Sequence, residues 1–132
     1  MIVAVADTHT IIWYLFGDPR LSQRARAIID EATGAGKQVA VSTITLAEMI
    51  YLVEKSRIQP IVLERLIEIL QGEEVLVEVP FDRTIAQAMR KVRWSEVPDL
   101  PDRIIAASAV YLDVPVISRD NRIQVSSVET IW

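Results

Sequence analysis

The 132-residue sequence contains no cysteine, only one histidine and only four glycines. Without cysteine there is no thiol nucleophile, no disulfide framework and no thiolate-held zinc or iron–sulfur site, and a cytoplasmic setting is expected. A single imidazole, His9, excludes chemistry that needs a histidine pair and leaves general acid–base work or a packing role. Gly17, Gly34, Gly36 and Gly72 never fall into GxGxxG or GxxxxGK spacing, which disfavours nucleotide-cofactor enzymes. The opening MIVAVADTHT lacks the basic segment and long apolar stretch of a secretory signal. No apolar run is long enough to span a bilayer, so no membrane partner is expected. A surplus of cations is missing too: 14 basic against 18 acidic residues give a net charge of −4, so any nucleic-acid contact must be local.

What is present is a core-forming chain, 51% hydrophobic and 24% charged, of a length that suits one domain spanning residues 1–132. Ile2 to Ala6 is a doubly buried strand ending at Asp7, and a short, mostly covered helix runs from Thr8 to Phe16 until Gly17-Asp18-Pro19 stops it. Ser22 caps a second helix reaching about Thr33. Gln38 to Val41 is a strand, and Ser42 or Thr43 caps a helix running to about Ser56. Pro60 opens another helix, ended by Gly72. Val75 to Val79 is a strand, Asp82 to Lys91 and Asp99 to Leu112 are helices, Val114 to Ile117 is a fourth strand and Val128 to Ile131 a short fifth. This alternation predicts a three-layer α/β fold: a parallel sheet of four to five strands between helices, joined by right-handed crossovers.

Ligands of such sheets bind beyond the carboxyl ends of the strands, where four acids are expected. Asp7 faces that crevice or caps the following helix. Glu48 is the only charge between Ile44 and Val53, in a helix apolar almost all the way round, so it needs a metal or a bland partner such as an arginine. Asp102 shares its possible capping role with Asp99, and Asp120 in Ser118-Arg119-Asp120-Asn121 also suits an ordinary turn. As a set, however, four converging carboxylates repel unless a hard cation binds them. Oxygen-only ligation suits Mg²⁺ or Mn²⁺ rather than zinc, and such an ion favours metal-assisted phosphodiester hydrolysis.

The segments Asp7-Thr8-His9 with Trp13, Ser42 to Glu48, Asp102 to Ala109 and Ser118-Arg119-Asp120 resemble, in order and over essentially the whole chain, the PIN-domain family, specifically VapC-type toxins of type II toxin–antitoxin systems. The resemblance implies a metal-dependent endoribonuclease in which Asp7, Glu48, Asp102 and Asp120 hold one or two Mg²⁺ or Mn²⁺ ions. It also implies that Thr8 and Ser118 support the site, Ser118 standing where many relatives have threonine. Asp99 is an extra carboxylate that could join the metal shell. The implied partners are substrate RNA, a second copy in a homodimer and a cognate antitoxin protein. Trp13, Tyr14, Leu15, Phe16, Tyr51 and Leu52 are candidates for those protein surfaces, or for ordinary core.

Arg103 and Arg119 flank proposed ligands, as phosphate contacts or as salt bridges to the acids; Arg122 lies beside them, and Arg90, Lys91 and Arg93 form a basic run that is a phosphate site or a solvated helix end. Two other readings compete. A phosphoryl-accepting regulatory domain would need an acceptor Asp ending the third strand and a downstream lysine, but Pro80 follows Val79 and no lysine follows Lys91. An RNA-processing nuclease or a non-cleaving RNA-binding scaffold of the same fold remains, although scaffolds typically lose acids and this chain has all four.

Overall fold

The computed structural model describes residues 1–132. Five parallel strands, β1 (Ile2–Ala6), β2 (Gln38–Ser42), β3 (Leu76–Val79), β4 (Val116–Ile117) and β5 (Thr130–Ile131), lie in the order β3-β2-β1-β4-β5. Side chains alternate across the pleat, and the alternation separates two cores. Ala4 and Ala6 of β1 face one layer with Val39 and Val41, while Val5 and Ala40 face the other. Both sets are fully buried, which accounts for the uninterrupted apolar runs.

The first layer holds α1 (Thr8–Phe16), α2 (Gln23–Gly34), α3 (Thr43–Glu54) and α4 (Pro60–Gly72), packed around Ile11, Ile29, Met49 and Leu66. The second holds α5 (Arg83–Ala88), α6 (Leu100–Leu112) and α7 (Asn121–Gln124), around Ile104, Ile105, Ala107 and Ile123. The expected three-layer α/β architecture is therefore present. Helix α1 ends as its sequence suggests: Gly17 is left-handed (φ 66°) and its N–H closes on the carbonyls of Trp13 and Tyr14.

Several boundaries differ from expectation. The left-handed residue after α4 is Glu73 (φ 52°), one position beyond Gly72. The last turn of the expected 82–91 helix tightens into a 3₁₀ turn over Met89–Lys91. Strands β4 and β5 are two residues each, because Val114 and Pro115 serve to bring the chain back from α6. Helix α7 was not anticipated; Asp120 caps it, accepting from the N–H groups of Arg122 (2.8 Å) and Ile123 (3.3 Å). Helix α3 is apolar all round as expected but is not covered all round, since Ala47, Ile50 and Tyr51 lie open to solvent.

Topology places the functional crevice. The chain steps outward from β1 to β2 to β3, then returns to lay β4 on the other side of β1. The carboxyl ends of β1 and β4 thus flank the switch point, where loops diverge and leave a gap in an open parallel sheet. Asp7 follows β1 and Ser118 follows β4.

Candidate active site: an acid-lined crevice at the switch point

A cavity of about 410 Å³ opens there, lined by Asp7, Thr8, His9, Trp13, Glu48, Asp99, Asp102, Arg119 and Asp120. All four acids singled out in the sequence reach it from separate segments, and Asp99 joins as a fifth from the same helix start as Asp102. Helix starts supply most of them. Asp7 caps α1 by accepting from the Thr10 N–H (2.9 Å), Asp99 caps α6 by accepting from the Asp102 N–H (3.0 Å), and Asp120 caps α7. Asp7 and Asp120 therefore combine the two roles that the sequence left open. Asp102 is relieved of capping by Asp99 and sits in the first turn with its carboxylate facing the crevice.

Capping does not explain the charge on Asp7. An N-cap stabilises by about 1 kcal/mol and an asparagine supplies it equally well. Burying a carboxylate without a counter-charge costs several kcal/mol, and Asp7 is only 6% exposed. No basic side chain forms a salt bridge with it, and His9 acts on it only through space. The single salt bridge of the chain joins Arg20 to Asp18, so none of the five acids is paired with a basic side chain.

Hydroxyl groups take the place of cations. Ser118, fully buried, donates to one Asp7 oxygen, and its own oxygen accepts the Asp120 N–H at 2.9 Å, so one hydroxyl links two of the acids. Thr8 donates to Glu48 at 2.5 Å and is backed by the Thr45 hydroxyl at 3.0 Å. These fixed donors set each carboxylate's rotamer without neutralising it. Thr45 was not singled out in the sequence; its only signal there is its place three residues before Glu48.

Electrostatics reflect this lack of counter-charge. Burial raises the carboxyl groups of Asp7 and Glu48 above their usual range, opposed by the hydrogen bonds from Ser118 and Thr8. Asp102 is pushed up to about 7, first by burial and then by repulsion from Asp99, Asp120, Asp7 and Glu48. The donor set is all oxygen, unsoftened by sulfur, and it is under-neutralised. A hard divalent ion fits both properties. The acids ring the crevice rather than close into a cage: as the side chains lie, no three of them stand near enough to share one ion. That spacing suits an ion which keeps much of its water and takes one or two carboxylates directly.

The arginines divide. Arg119 lines the crevice with its guanidinium 5.7 Å from the Trp13 ring centroid. Arg103, in contrast, neither pairs with an acid nor lines the crevice. Its Nε and Nη2 donate to the carbonyls of Val92 (3.0 Å) and Met89 (2.9 Å), fastening the 3₁₀ turn to α6. Asp102 and Arg103 are neighbours on a helix, about 100° apart, and the Arg103 side chain turns to the 89–92 segment instead of the crevice. His9 is at the rim, its ring 5.6 Å from that of Trp13. Among the surface candidates, Trp13 is buried core, Tyr14, Leu15 and Leu52 are half-buried, and Phe16 and Tyr51 are about half exposed.

Fold and site together define an α/β protein with a carboxylate-lined crevice at the switch point of a parallel sheet. Residues 4–127 match the model of the PIN domain, and the chain belongs to the PIN-domain family, a family of nucleases. No curated protein matches it. Solved structures do. VapBC2 from Rickettsia felis, bound to a DNA fragment from its promoter, matches with a TM-score of 0.72 and 16% identity over 99% of this chain and 98% of that one. DNA-bound VapBC from Salmonella typhimurium matches with a TM-score of 0.69 and 20% identity over 99% and 98%. A toxin–antitoxin complex from Klebsiella pneumoniae matches with a TM-score of 0.66 and 24% identity over 98% and 96%. At these identities the likeness establishes the fold. No helix in the chain is long and apolar enough to cross a membrane.

Proposed function

We propose that the chain, acting as one domain over residues 1–132, is a Mg²⁺- or Mn²⁺-dependent endoribonuclease and the VapC-type toxin of a type II toxin–antitoxin pair. One observation carries the catalytic part: five carboxylates from four separate chain segments line a single crevice without a salt bridge to any basic side chain. A bound dication supplies a nucleophilic water and neutralises charge building on the phosphodiester.

The protein's own part is positioning. Asp7, Glu48, Asp102 and Asp120 would hold the ion, one or two of them directly and the others through its waters, Asp99 extends the acidic wall, and Ser118 and Thr8 fix the carboxylate oxygens they contact. Arg119, held over Trp13, offers the crevice a cation for a substrate phosphate beside the acids.

The toxin assignment draws on the solved complexes, which pair proteins of this fold with antitoxins. Here a cleft of about 520 Å³ whose lining mixes Phe16, Val53, Ile58 and Pro60 with Ser56, Arg57 and Gln59 offers a part-apolar surface for an antitoxin segment. The exposed Ile50 and Tyr51 offer it for a second copy.

Incubation of the purified protein with mixed cellular RNA tests the chemistry, with Mg²⁺ or Mn²⁺, with chelator, and beside Asp7→Asn. Cleavage that requires the metal and is lost in the variant is expected; cleavage in chelator, or an active variant, refutes it. A short reading frame directly upstream encoding a DNA-binding antitoxin is expected, and its absence would move the assignment to a stand-alone RNA-processing nuclease.

A further inference from the structure

Trp94 is 70% exposed, the most open of the chain's large aromatic side chains. It does not lie on a loose tail. Val92 and Val97 on either side are almost fully buried. The N–H groups of Glu96 and Val97 both donate to the Arg93 carbonyl at 3.0 Å, closing a tight turn with Trp94 at its tip. Glu96 is itself tied down by accepting from the Ser127 N–H (3.0 Å) and hydroxyl (3.3 Å). Arg103 holds the carbonyls of Met89 and Val92 to the first turn of α6, the turn that carries Asp99 and Asp102. A well-tied segment thus presents an indole to solvent five residues before Asp99, the first of the two crevice acids at the start of α6.

Cations precede it in the chain. Arg90, Lys91 and Arg93 are three cations in four residues, all exposed, and none forms a salt bridge. In a chain of net charge −4 this is a local concentration of positive potential that packing does not use. Exposing an indole on a fixed turn forfeits burial energy, and a ring held rigid loses little further freedom when something stacks on it. An aromatic face beside unpaired cations is the combination that takes single-stranded nucleic acid, bases on the ring and phosphates on the cations.

We propose that Trp94 is a stacking platform for an unpaired base of the substrate, with Arg90, Lys91 and Arg93 contacting the flanking phosphates, so that single-stranded RNA is led across the rim into the acid-lined crevice. This rests on the nuclease reading for its direction but not for its chemistry. It makes Trp94 and the basic run determinants of substrate class, choosing unpaired over duplex RNA.

The test measures binding of a labelled, unstructured RNA of about ten nucleotides, and of its duplex form, to the Asp7→Asn protein with Mg²⁺ at several salt concentrations. Adding Trp94→Ala is expected to weaken single-strand binding about tenfold, while Trp94→Phe retains most of it and duplex binding does not change. Replacing Arg90 and Arg93 together by Gln is expected to weaken binding and lower the salt slope by about two. Unchanged single-strand affinity in Trp94→Ala, equal losses for single strand and duplex, or a changed oligomeric state with unchanged RNA affinity would each overturn the platform, the last marking a protein contact instead. Cleavage by the otherwise unaltered protein separates this from the nuclease reading. If that protein cleaves RNA and Trp94→Ala leaves KM unchanged, the platform fails alone; if it never cleaves yet Trp94→Ala weakens binding, the nuclease reading fails alone.

Discussion

The two ends of α1 treat carboxylates in opposite ways. Just beyond its C-terminus, Asp18 meets Arg20 through a two-pronged contact (2.7 and 3.1 Å), and the hydrogen bonds from Arg20 hold its carboxyl down to about 2. At its N-terminus, Asp7 lies buried among four other acids with the Ser118 hydroxyl and the Thr10 N–H as donors and no salt bridge, and its neighbour Asp102 is pushed up to about 7. The same chain thus pairs an acid with a cation where it needs only a surface turn, and forms no salt bridge where acids converge. The proposed metal ion would supply the counter-charge that these acids lack.

Removing a crevice acid should have the largest consequence. Asp7→Asn and Asp102→Asn are each expected to lower RNA cleavage by more than about 100-fold, beyond the 10–100-fold typical of groups that only orient ligands. Far-ultraviolet circular dichroism should remain unchanged, because Asn keeps the α1 cap and Asp102 caps nothing. A loss of helix signal in both variants would mean that the acids are structural.

Thr8→Ala should fall in the orienting range, about 10- to 100-fold in cleavage, since it frees Glu48 from its only hydroxyl donor, whereas Thr8→Ser should stay near the starting activity. Equal losses in the two would point to the methyl group and packing.

The pH response should differ between the two ends in sign. Asp102 has a raised folded-state value, so without metal its contribution to stability is present below pH 4 and lost as pH rises toward 7. Asp18 is lowered, so its contribution is present above pH 4 and lost as pH falls toward 2. Thermal melts across this window should show the first trend flattened in Asp102→Asn and the second in Asp18→Asn. At limiting Mg²⁺, activity should rise up to about tenfold per pH unit toward 7, as ligand protons compete with the metal. At neutral pH, where that contribution is fully present, Asp18→Asn should lower melting only slightly, as expected of an exposed pair.

Much of this was readable beforehand, and the reasons are local. Ile2–Ala6 and Gln38–Ser42 are buried on both faces, so their apolar runs announce themselves, and Ser22 and Asp99 cap where their types suggest. The family motifs gathered the acids to one end of the sheet, where the topology puts them. Helix α7 and the two-residue strands β4 and β5 carry no period to read; tertiary pairing alone defines them. The open outer face of α3 is not legible in the sequence, because an apolar stretch does not distinguish a face buried within the chain from one left open. The bond from Arg103 to the carbonyls of Val92 and Met89, and the exposure of Trp94, depend on how the 92–99 segment folds back on α6, which composition does not encode.

Titration of free Mn²⁺ by electron paramagnetic resonance, with the otherwise unaltered protein beside Asp7→Asn and Asp102→Asn at pH 7.5 (about half a unit above the Asp102 value), tests the central claim most directly. Saturable loss of the free-ion signal with the unaltered chain, weakened at least about tenfold in each variant, is the predicted result. No binding, or equal binding in all three, would contradict a crevice whose charge is completed by a metal ion.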